Sequence, residues 1–433
     1  MVVAPFPFQK NDQPSTGQEN GTNLPELSHA ACKPRAIGST PSLLFSSAGI
    51  ITYFCGFHTL QLEIAILTLV SASHRLSHRQ ILQLSWSQIS HTFFLRYLQE
   101  YQALGTAGGI YHFRDQISSG NPDAFFVLNG DVCGDFPLQE MLDFHTNLTT
   151  PSLITIMGTE ATRQQSTMYG CIVEAKDTHQ VLHYVEKPST FVSNLINCGV
   201  YICSPDIFKR VGEIFNSRQD FYSDDSEGNE SIQLEQDILM PIAGTGQAYV
   251  YTTDRWWSQI KTAGSAIYAN RHYLQLYHKQ KEDRLATNGP DKPTIIGDVY
   301  IHPTASVDPS AVLGPNVSVG KNAVIGAGVR IRESIILGNT TIQEHSCVLY
   351  TVVGWNSTVG AWSRLEGTPC DPNPNKPFAK MDNVPLFNNE GKLNPSITIL
   401  GCNVSVPSEV IVLNSIVLPY KDLPRSYKNE IIL

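Results

Sequence analysis

Residues 301–332 read I-H-P-T-A-S, V-D-P-S-A-V, L-G-P-N-V-S, V-G-K-N-A-V, I-G-A-G-V-R and I-R. An aliphatic residue returns at every sixth position, at Ile301, Val307, Leu313, Val319, Ile325 and Ile331, usually followed by a small or turn-forming residue. Neither a helix nor a simple strand repeats with that period. Three short strand edges per turn, each with one side chain inward, give a coil of about eighteen residues filled by stacked aliphatics. The expected fold over residues 291–433 is therefore a left-handed parallel β-helix of hexapeptide repeats. The competing reading, a β-sandwich with fortuitous spacing, has to account for the whole run of hits.

The period resumes at Val353, Val359 and Leu365 and again at Leu400, Val406, Val412 and Leu418. Between these runs lies an insertion at 366–396, E-G-T-P-C-D-P-N-P-N-K-P-F-A-K-M-D-N-V-P-L-F-N-N-E-G-K-L-N-P-S, whose six prolines cannot supply coil strands. A protruding loop is expected there. Long loops in compact repeats are often functional, and a tolerated surface excursion is the plain alternative.

A chain of 433 residues with 42% hydrophobic content suggests two or three domains with proper cores. Thirty basic against 39 acidic residues, a formal charge of -9, argue against a nucleic-acid partner and leave room for a small anionic ligand held locally. Nine scattered cysteines without C-x-x-C spacing read as reduced thiols of a cytoplasmic protein.

Residues 1–95 differ in texture from the rest of the chain. The first forty are polar and rich in Pro, Gly, Asn and Ser, reading as a loose tail. Ile50 to Val70 is strongly apolar, yet His58, Gln61 and Glu63 sit inside it, so a buried element is expected rather than a membrane span. Ser71 to Gln99 carries helix-compatible spacing.

From Arg96 to about residue 290 the texture is α/β. Leu104, Gly105 and Thr106 begin a Gly-rich turn, L-G-T-A-G-G-I, opening a helical pattern at Tyr111 to Ile117, so its backbone amides would face a base or phosphate. Ala124 to Asp135, A-F-F-V-L-N-G-D-V-C-G-D, reads as a buried parallel strand ending near Asp131. Ligands bind at such strand ends in open α/β sheets. Asp131 would hold a divalent metal there, or simply cap a turn. After a second strand come Glu186 and Lys187, an acid for sugar hydroxyls beside a base for phosphate, or a plain surface ion pair. In I-N-C-G-V-Y, Asn197 offers donor and acceptor to a hydroxyl and Gly199 permits close approach. Asp220 to Glu230 is expected to be a solvated loop, and Ser231 to Ala243 a helix.

These phrases, in this order, resemble the sugar-phosphate nucleotidyltransferases. Within them, R-Y-L-Q-E, I-Y-H-F-R-D-Q-I, W-S-Q-I-K-T-A-G, E-G-T-P-C-D-P-N-P-N and N-S-I-V-L-P are most similar to the regulatory-type alpha subunits of mannose-1-phosphate guanylyltransferase. The resemblance covers about Arg96 to Leu433. It implies an incomplete Rossmann-like nucleotidyltransferase domain ahead of the β-helix, in a cytoplasmic regulatory subunit. It further implies GDP-mannose as ligand, a catalytic beta subunit as partner, homo- and hetero-oligomers, and the insertion as an arm toward that partner.

Two departures qualify the chemistry. Catalytic members open with a G-G-x-G-T-R-x-R-P-L-T loop around the triphosphate, and residues 1–95 contain nothing like it. That is read as an alternative or mispredicted N-terminus, against a divergent segment pairing through Ile64 to Val70. Catalytic members also place a metal-binding Asp in W-x-D-I-G, where this chain has Trp257, Ser258, Gln259, Ile260 and Lys261. A two-carboxylate site with Asp131 cannot form, so Mg²⁺ is expected only if the chain is catalytic, and impaired catalysis is expected. Two other readings stand beside the regulatory one. One is an active guanylyltransferase making GDP-mannose from GTP and mannose 1-phosphate. The other is a hexapeptide-repeat acyltransferase using His302 or His345.

Overall fold

A computed structural model describes residues 2–6, 42–45, 94–98, 100, 102–221, 231–280 and 283–433. The α/β part is built on eleven strands: β1 (Val2–Phe6), β2 (Ser42–Phe45), β3 (Phe94–Tyr97), β4 (Ala124–Leu128), β5 (Val132–Gly134), β6 (Ile154–Glu160), β7 (Gly170–Glu174), β8 (Val181–Glu186), β9 (Leu195–Cys203), β10 (Ala248–Thr252) and β11 (Trp257–Gln259). The main sheet runs β10-β6-β9-β4-β1-β2-β3, with β7 and β8 attached to β9, while β5 and β11 form a separate ribbon. All five residues of β4 are buried. Phe125 and Val127 enter one core, and Ala124, Phe126 and Leu128 the other. Each buried phenylalanine stabilises the sheet by roughly 2–3 kcal/mol through area removed from water.

The expectation of a parallel strand at Ala124 is corrected. Both neighbours of β4, β9 and β1, run antiparallel to it, and the parallel pairs of the sheet are β10 with β6 and β2 with β3. A continuous apolar run reports that both faces are covered, and here layers on each side do that for an antiparallel strand. The loose-tail expectation is corrected at Val2–Phe6, whose backbone pairs along the whole of β4 from Val2↔Leu128 to Phe6↔Ala124. A strand buried on both faces leaves its edge groups no water, so a neighbouring strand must satisfy them. Phe94–Tyr97, at the end of the stretch with helical spacing, is likewise a strand. Ile50 to Val70, including Ile64 to Val70, lies outside the described residues, as does the rest of Ser71 to Gln99 up to Phe93. Among the described residues no helix is long and apolar enough to cross a membrane.

Two helical expectations also change. The glycines of L-G-T-A-G-G-I lie within a helix, Gly105–His112, rather than in a turn before it. Ser231 to Ala243 contains a π-helix, Leu234–Leu239, followed by Met240–Ile242. Asp220 belongs to the helix Ile207–Phe221, and residues 222–230 lie outside the described part.

From Thr294 onward three parallel sheets wind around one core. The aliphatic columns are continuous: Leu313, Ile331, Val348, Leu365 and Val412 in one sheet, and Val319, Ile336, Val353, Leu400 and Val417 in the next. The spacing explains the interrupted period. Later coils take a five-residue step at one corner, at Ile331 to Ile336, Val348 to Val353 and Val412 to Val417, where Glu333, Tyr350 and Asn414 adopt positive φ. The inward residue of the last step is accordingly Val417, at 1% exposure, and not Leu418. Asparagine favours left-handed corners because its short polar side chain tolerates positive φ. Asn322, Asn339, Asn356 and Asn403 stack at another corner, the first three joined by side-chain hydrogen bonds of 3.1 and 3.2 Å.

The helix Ala263–Gln280 ties the two parts together, packing Ala266, Ile267 and Tyr273 against Ile335, Leu337, Val352 and Ile397 of the coil. Arg271 from this helix bridges Glu333 of the coil at 3.1 Å and Asp371 of the insertion at 3.2 Å. The expected arm therefore folds back at its base. Its middle also docks on its own α/β domain: Gln165 Nε2 donates to the Lys380 carbonyl (2.7 Å) and to Asp382 Oδ1 (2.6 Å), and Lys380 N donates to Gln165 Oε1 (2.9 Å). Val384, Leu386 and Phe387, further along, remain exposed.

Two partly buried imidazoles set an acid limit. Burial pushes His145, 2.7 Å from Thr155 Oγ1, down to about 4 from 6.5. His272, stacked 4.5 Å from Trp256, is also pushed down to about 4, by burial and then by Arg271 and Lys279. Both rings are neutral in the fold while the unfolded chain protonates them below 6.5, so stability is full above pH 6.5 and falls as pH drops toward 4. Each contributes on the order of 1–2 kcal/mol over that window after allowing for partial exposure. Urea midpoints between pH 7 and 4 should fall for the native chain and fall less steeply for a His145→Gln, His272→Gln double variant. Parallel slopes would contradict this.

Candidate functional site

A cleft of ≈ 390 Å³ opens at the ends of β4, β7, β8 and β9 and against the β5–β11 ribbon. Of the residues expected to bind a sugar nucleotide, Asp131, Glu186, Lys187, Asn197 and Gly199 line it. Leu104, Gly105 and Thr106 do not. The amides of Ala107 and Gly108 donate to the Ile232 carbonyl at 2.9 and 3.2 Å, and Ile232 N donates to the Leu104 carbonyl at 2.8 Å. A segment of the same chain thus occupies the amides that would have cradled a phosphate. Thr106 Oγ1 instead accepts from Leu234 N (2.8 Å) and donates to Glu235 Oε2 (3.4 Å), supporting the cleft from behind.

A register shift in the pairing of β6 with β9, between Ile156 and Gly158, makes β9 bulge around Gly199. Gly199 has φ +71° and its carbonyl accepts from Asn129 N at 2.8 Å. A Cβ there would lie 2.5 Å from Asn129 Nδ2. Asn197 Oδ1 accepts from Gly199 N (2.8 Å), while its Nδ2 donates to the phenol oxygens of Tyr184 and Tyr201, both at 2.9 Å. Those phenols donate in turn to Glu186 Oε2 (2.9 Å) and Glu235 Oε1 (3.0 Å). Asn197 lines the cleft with both of its amide hydrogens already engaged within the protein. Its role in this arrangement is to hold the Tyr184–Glu186 arm in place.

Electrostatics follow from this network. Burial, and then the Glu186 and Glu235 carboxylates respectively, hold the Tyr184 and Tyr201 phenols well above their ordinary range, so both are donors. Burial raises the Glu235 carboxyl, against the lowering effect of its hydrogen bonds. Glu186 lines the cleft, with Lys187 Nζ 3.3 Å from its Oε1. Such a carboxylate can accept from a sugar hydroxyl.

Opposite stands Asp131, whose Oδ2 accepts from Gln259 Nε2 at 2.7 Å and whose carbonyl accepts from Ile260 N at 2.7 Å. Pairing of β11 with β5 sets Gln259 beside Val132, which fixes this geometry. Lys261 lies half-buried with its ammonium 4.9 Å over the Tyr169 ring. Burial lowers its pKa while Asp131 raises it. The donor set does not suit Mg²⁺. Gln259 turns an N–H toward Asp131 where a second anionic oxygen would be needed, and Lys261 adds a cation. Among the described residues no group of three or more His, Cys, Asp or Glu side chains is placed to hold a metal. Tyr184, Tyr201 and Glu235 escaped the sequence reading because they meet only through long-range packing, and Glu235 points inward through the π-helical register of Leu234–Leu239, where Thr106, expected in a phosphate turn, meets it. The histidines of the coil have structural roles: His345 stacks on Trp362 at 4.4 Å, and His302 Nδ1 pairs with Thr304 Oγ1 at 2.9 Å.

A cleft at the ends of these strands, in a domain followed by a left-handed β-helix, is the architecture of the two-domain nucleotidyltransferases. Family models agree: one for nucleotidyl transferases matches residues 57–275, beginning inside the divergent N-terminal segment, and one for the GMPPB C-terminal domain matches 295–432. The chain is 61% identical over 355 residues to mannose-1-phosphate guanylyltransferase regulatory subunit alpha-A of Danio rerio, covering 81% of this chain and 84% of that protein. It is 58% identical over 344 residues to regulatory subunit alpha of Homo sapiens, covering 78% and 81%. The chain belongs to the mannose-1-phosphate guanylyltransferase alpha-subunit family.

Proposed function

We propose that this chain is a regulatory subunit that binds GDP-mannose in the cleft and modulates a catalytic beta subunit of mannose-1-phosphate guanylyltransferase, without itself making GDP-mannose. The observation that carries this reading is the Gln259–Asp131 hydrogen bond of 2.7 Å, a neutral donor set against the carboxylate that phosphoryl-transfer chemistry would use for its metal. The sugar-facing wall is intact by contrast. Glu186, held by Tyr184, accepts from hydroxyls of the hexose, and Lys187 sits beside it for a phosphate oxygen. Such a pocket binds product and sugar nucleotide but does not assemble the charge compensation that attack on the α-phosphorus of GTP requires.

Assembly with the beta subunit fits the exposed stretch of the insertion, Val384, Leu386 and Phe387, which its own domain does not cover. Free, mostly buried cysteines such as Cys133, Cys198 and Cys203 suit a cytoplasmic setting. The test is to co-purify the chain with the catalytic subunit and follow the latter's rate as GDP-mannose accumulates. Regulation predicts steeper product inhibition in the complex than for the catalytic subunit alone. Identical inhibition curves with and without this chain would refute it.

A further inference from the structure

The cleft has lost the means to hold a divalent cation, yet a sugar nucleotide brings a diphosphate into it, and that charge has to be met by something. We infer that the diphosphate is held by the ammonium of Lys261, assisted by that of Lys187, and that no divalent cation takes part. The inference rests on the reading of the cleft as a sugar-nucleotide site and names the chemistry by which that site recognises its ligand.

Three observations carry it. First, the backbone fixes Lys261 relative to Asp131: Ile260 N donates to the Asp131 carbonyl at 2.7 Å, and Lys261 N to the Gln259 carbonyl at 3.0 Å. The side chain then reaches the cleft with its ammonium 4.9 Å over the Tyr169 ring, leaving its hydrogens for a ligand. Second, Lys187 takes φ +43° and donates its backbone N–H to the Tyr169 carbonyl at 3.2 Å, so its backbone is anchored on the residue whose ring lies beneath the Lys261 ammonium, and both lysines line the cleft. Its ammonium stands at the mouth, 62% exposed, which suits an oxygen arriving from solvent. Third, the carboxylates facing the cleft are unequally engaged. Glu235 lies behind Tyr201 and Thr106, and Glu186 is engaged by Tyr184 and Lys187. Asp131, whose side-chain donor among the described residues is the neutral Gln259, is the carboxylate that would oppose a diphosphate.

This inverts the meaning of Asp131. In a metal-bridged site the aspartate anchors the ligand through the cation, and removing its charge weakens binding. In a lysine-held site the aspartate repels the diphosphate, and removing its charge strengthens binding. Lys261 therefore serves both as anchor and as the charge that makes Asp131 tolerable.

The experiment is calorimetric titration of the full chain with GDP-mannose, in Mg²⁺ and in EDTA. Affinity is expected to agree within about twofold between the two buffers, as binding that needs no cation requires. Lys261→Met should weaken it by about 10- to 100-fold in both buffers, the loss of a charge-assisted contact in a partly buried site. Lys261→Arg, which keeps the charge, should retain binding in a chain whose circular dichroism matches the native one. Asp131→Asn should tighten binding by about three- to tenfold. Loss of affinity in EDTA by about tenfold or more, or weaker binding by Asp131→Asn, would overturn the inference while leaving the sugar-nucleotide reading in place. Absence of heat in both buffers would overturn that reading and the inference with it.

Discussion

Leu365→Ala should destabilise the coil by about 3–5 kcal/mol, near the upper end for deleting a buried leucine. Leu365 has 0% exposure and stands in a column with Val348 before it and Val412 after it. The cost depends on how far neighbours can collapse into the space, and here they cannot. Arg364 N donates to the Val410 carbonyl at 3.0 Å and Gly367 N to the Leu349 carbonyl at 2.9 Å, so ladders above and below hold the rungs at their spacing. The position also lies immediately before the insertion, where the chain must return in register at Thr398 to pair with Thr351. Thermal unfolding of the coil should drop by roughly 6–15 °C. Ile411→Ala, 42% exposed on the outer face of the same strand column, is the control and should change stability by less than about 1 kcal/mol. Equal effects at the two positions would contradict the assignment of the inward column.

Gly199→Val should abolish ligand binding in the cleft, weakening it by at least about 100-fold. Two costs coincide at this residue. Its φ of +71° is poorly accessible to a β-branched side chain, a strain of about 1–3 kcal/mol. Its Cβ would also meet Asn129 at 2.5 Å from Nδ2 and 3.1 Å from the Asn129 Cβ. Relief requires β9 to shift, and the Gly199 N–H that holds Asn197 would move with it. Loss of that bond frees Asn197, then Tyr184, then Glu186, so the sugar-facing acid is misplaced from three residues away. Calorimetric titration with GDP-mannose checks this. A variant that folds with native circular dichroism and binds as tightly as the unsubstituted chain would show that the bulge does not position the site.

How far these features were legible depends on what kind of signal each residue carried. The coil was readable because its core is one-dimensional: Leu313, Val319 and Ile325 each repeat a local decision, and no distant contact is needed to recognise them. The five-residue corners at Glu333, Tyr350 and Asn414 blurred the period, since a single deleted residue is indistinguishable from a break until the ladders are seen. In the α/β part, A-F-F-V-L announced burial on both faces but not strand direction, which the order of β9, β4 and β1 decides. The cleft residues Asp131, Glu186 and Lys187 were visible as polar groups at strand ends. The supporting chain from Tyr201 to Glu235 was not, because it joins positions 34 residues apart. Gly105 misled for a local reason. The run of glycines looks like a phosphate turn, but at Gly105, with φ +77°, the segment near Ile232 packs so close that a Cβ would lie 2.5 Å from the Ile232 carbonyl oxygen. The glycines serve chain packing there.

On the function proposed above, the cleft recognises a sugar nucleotide while lacking the charge arrangement for its synthesis. Incubating the isolated chain with GTP, mannose 1-phosphate and Mg²⁺ and measuring released pyrophosphate tests it most directly. No release above the enzyme-free rate is the expected result. Steady turnover proportional to the concentration of this chain would contradict it.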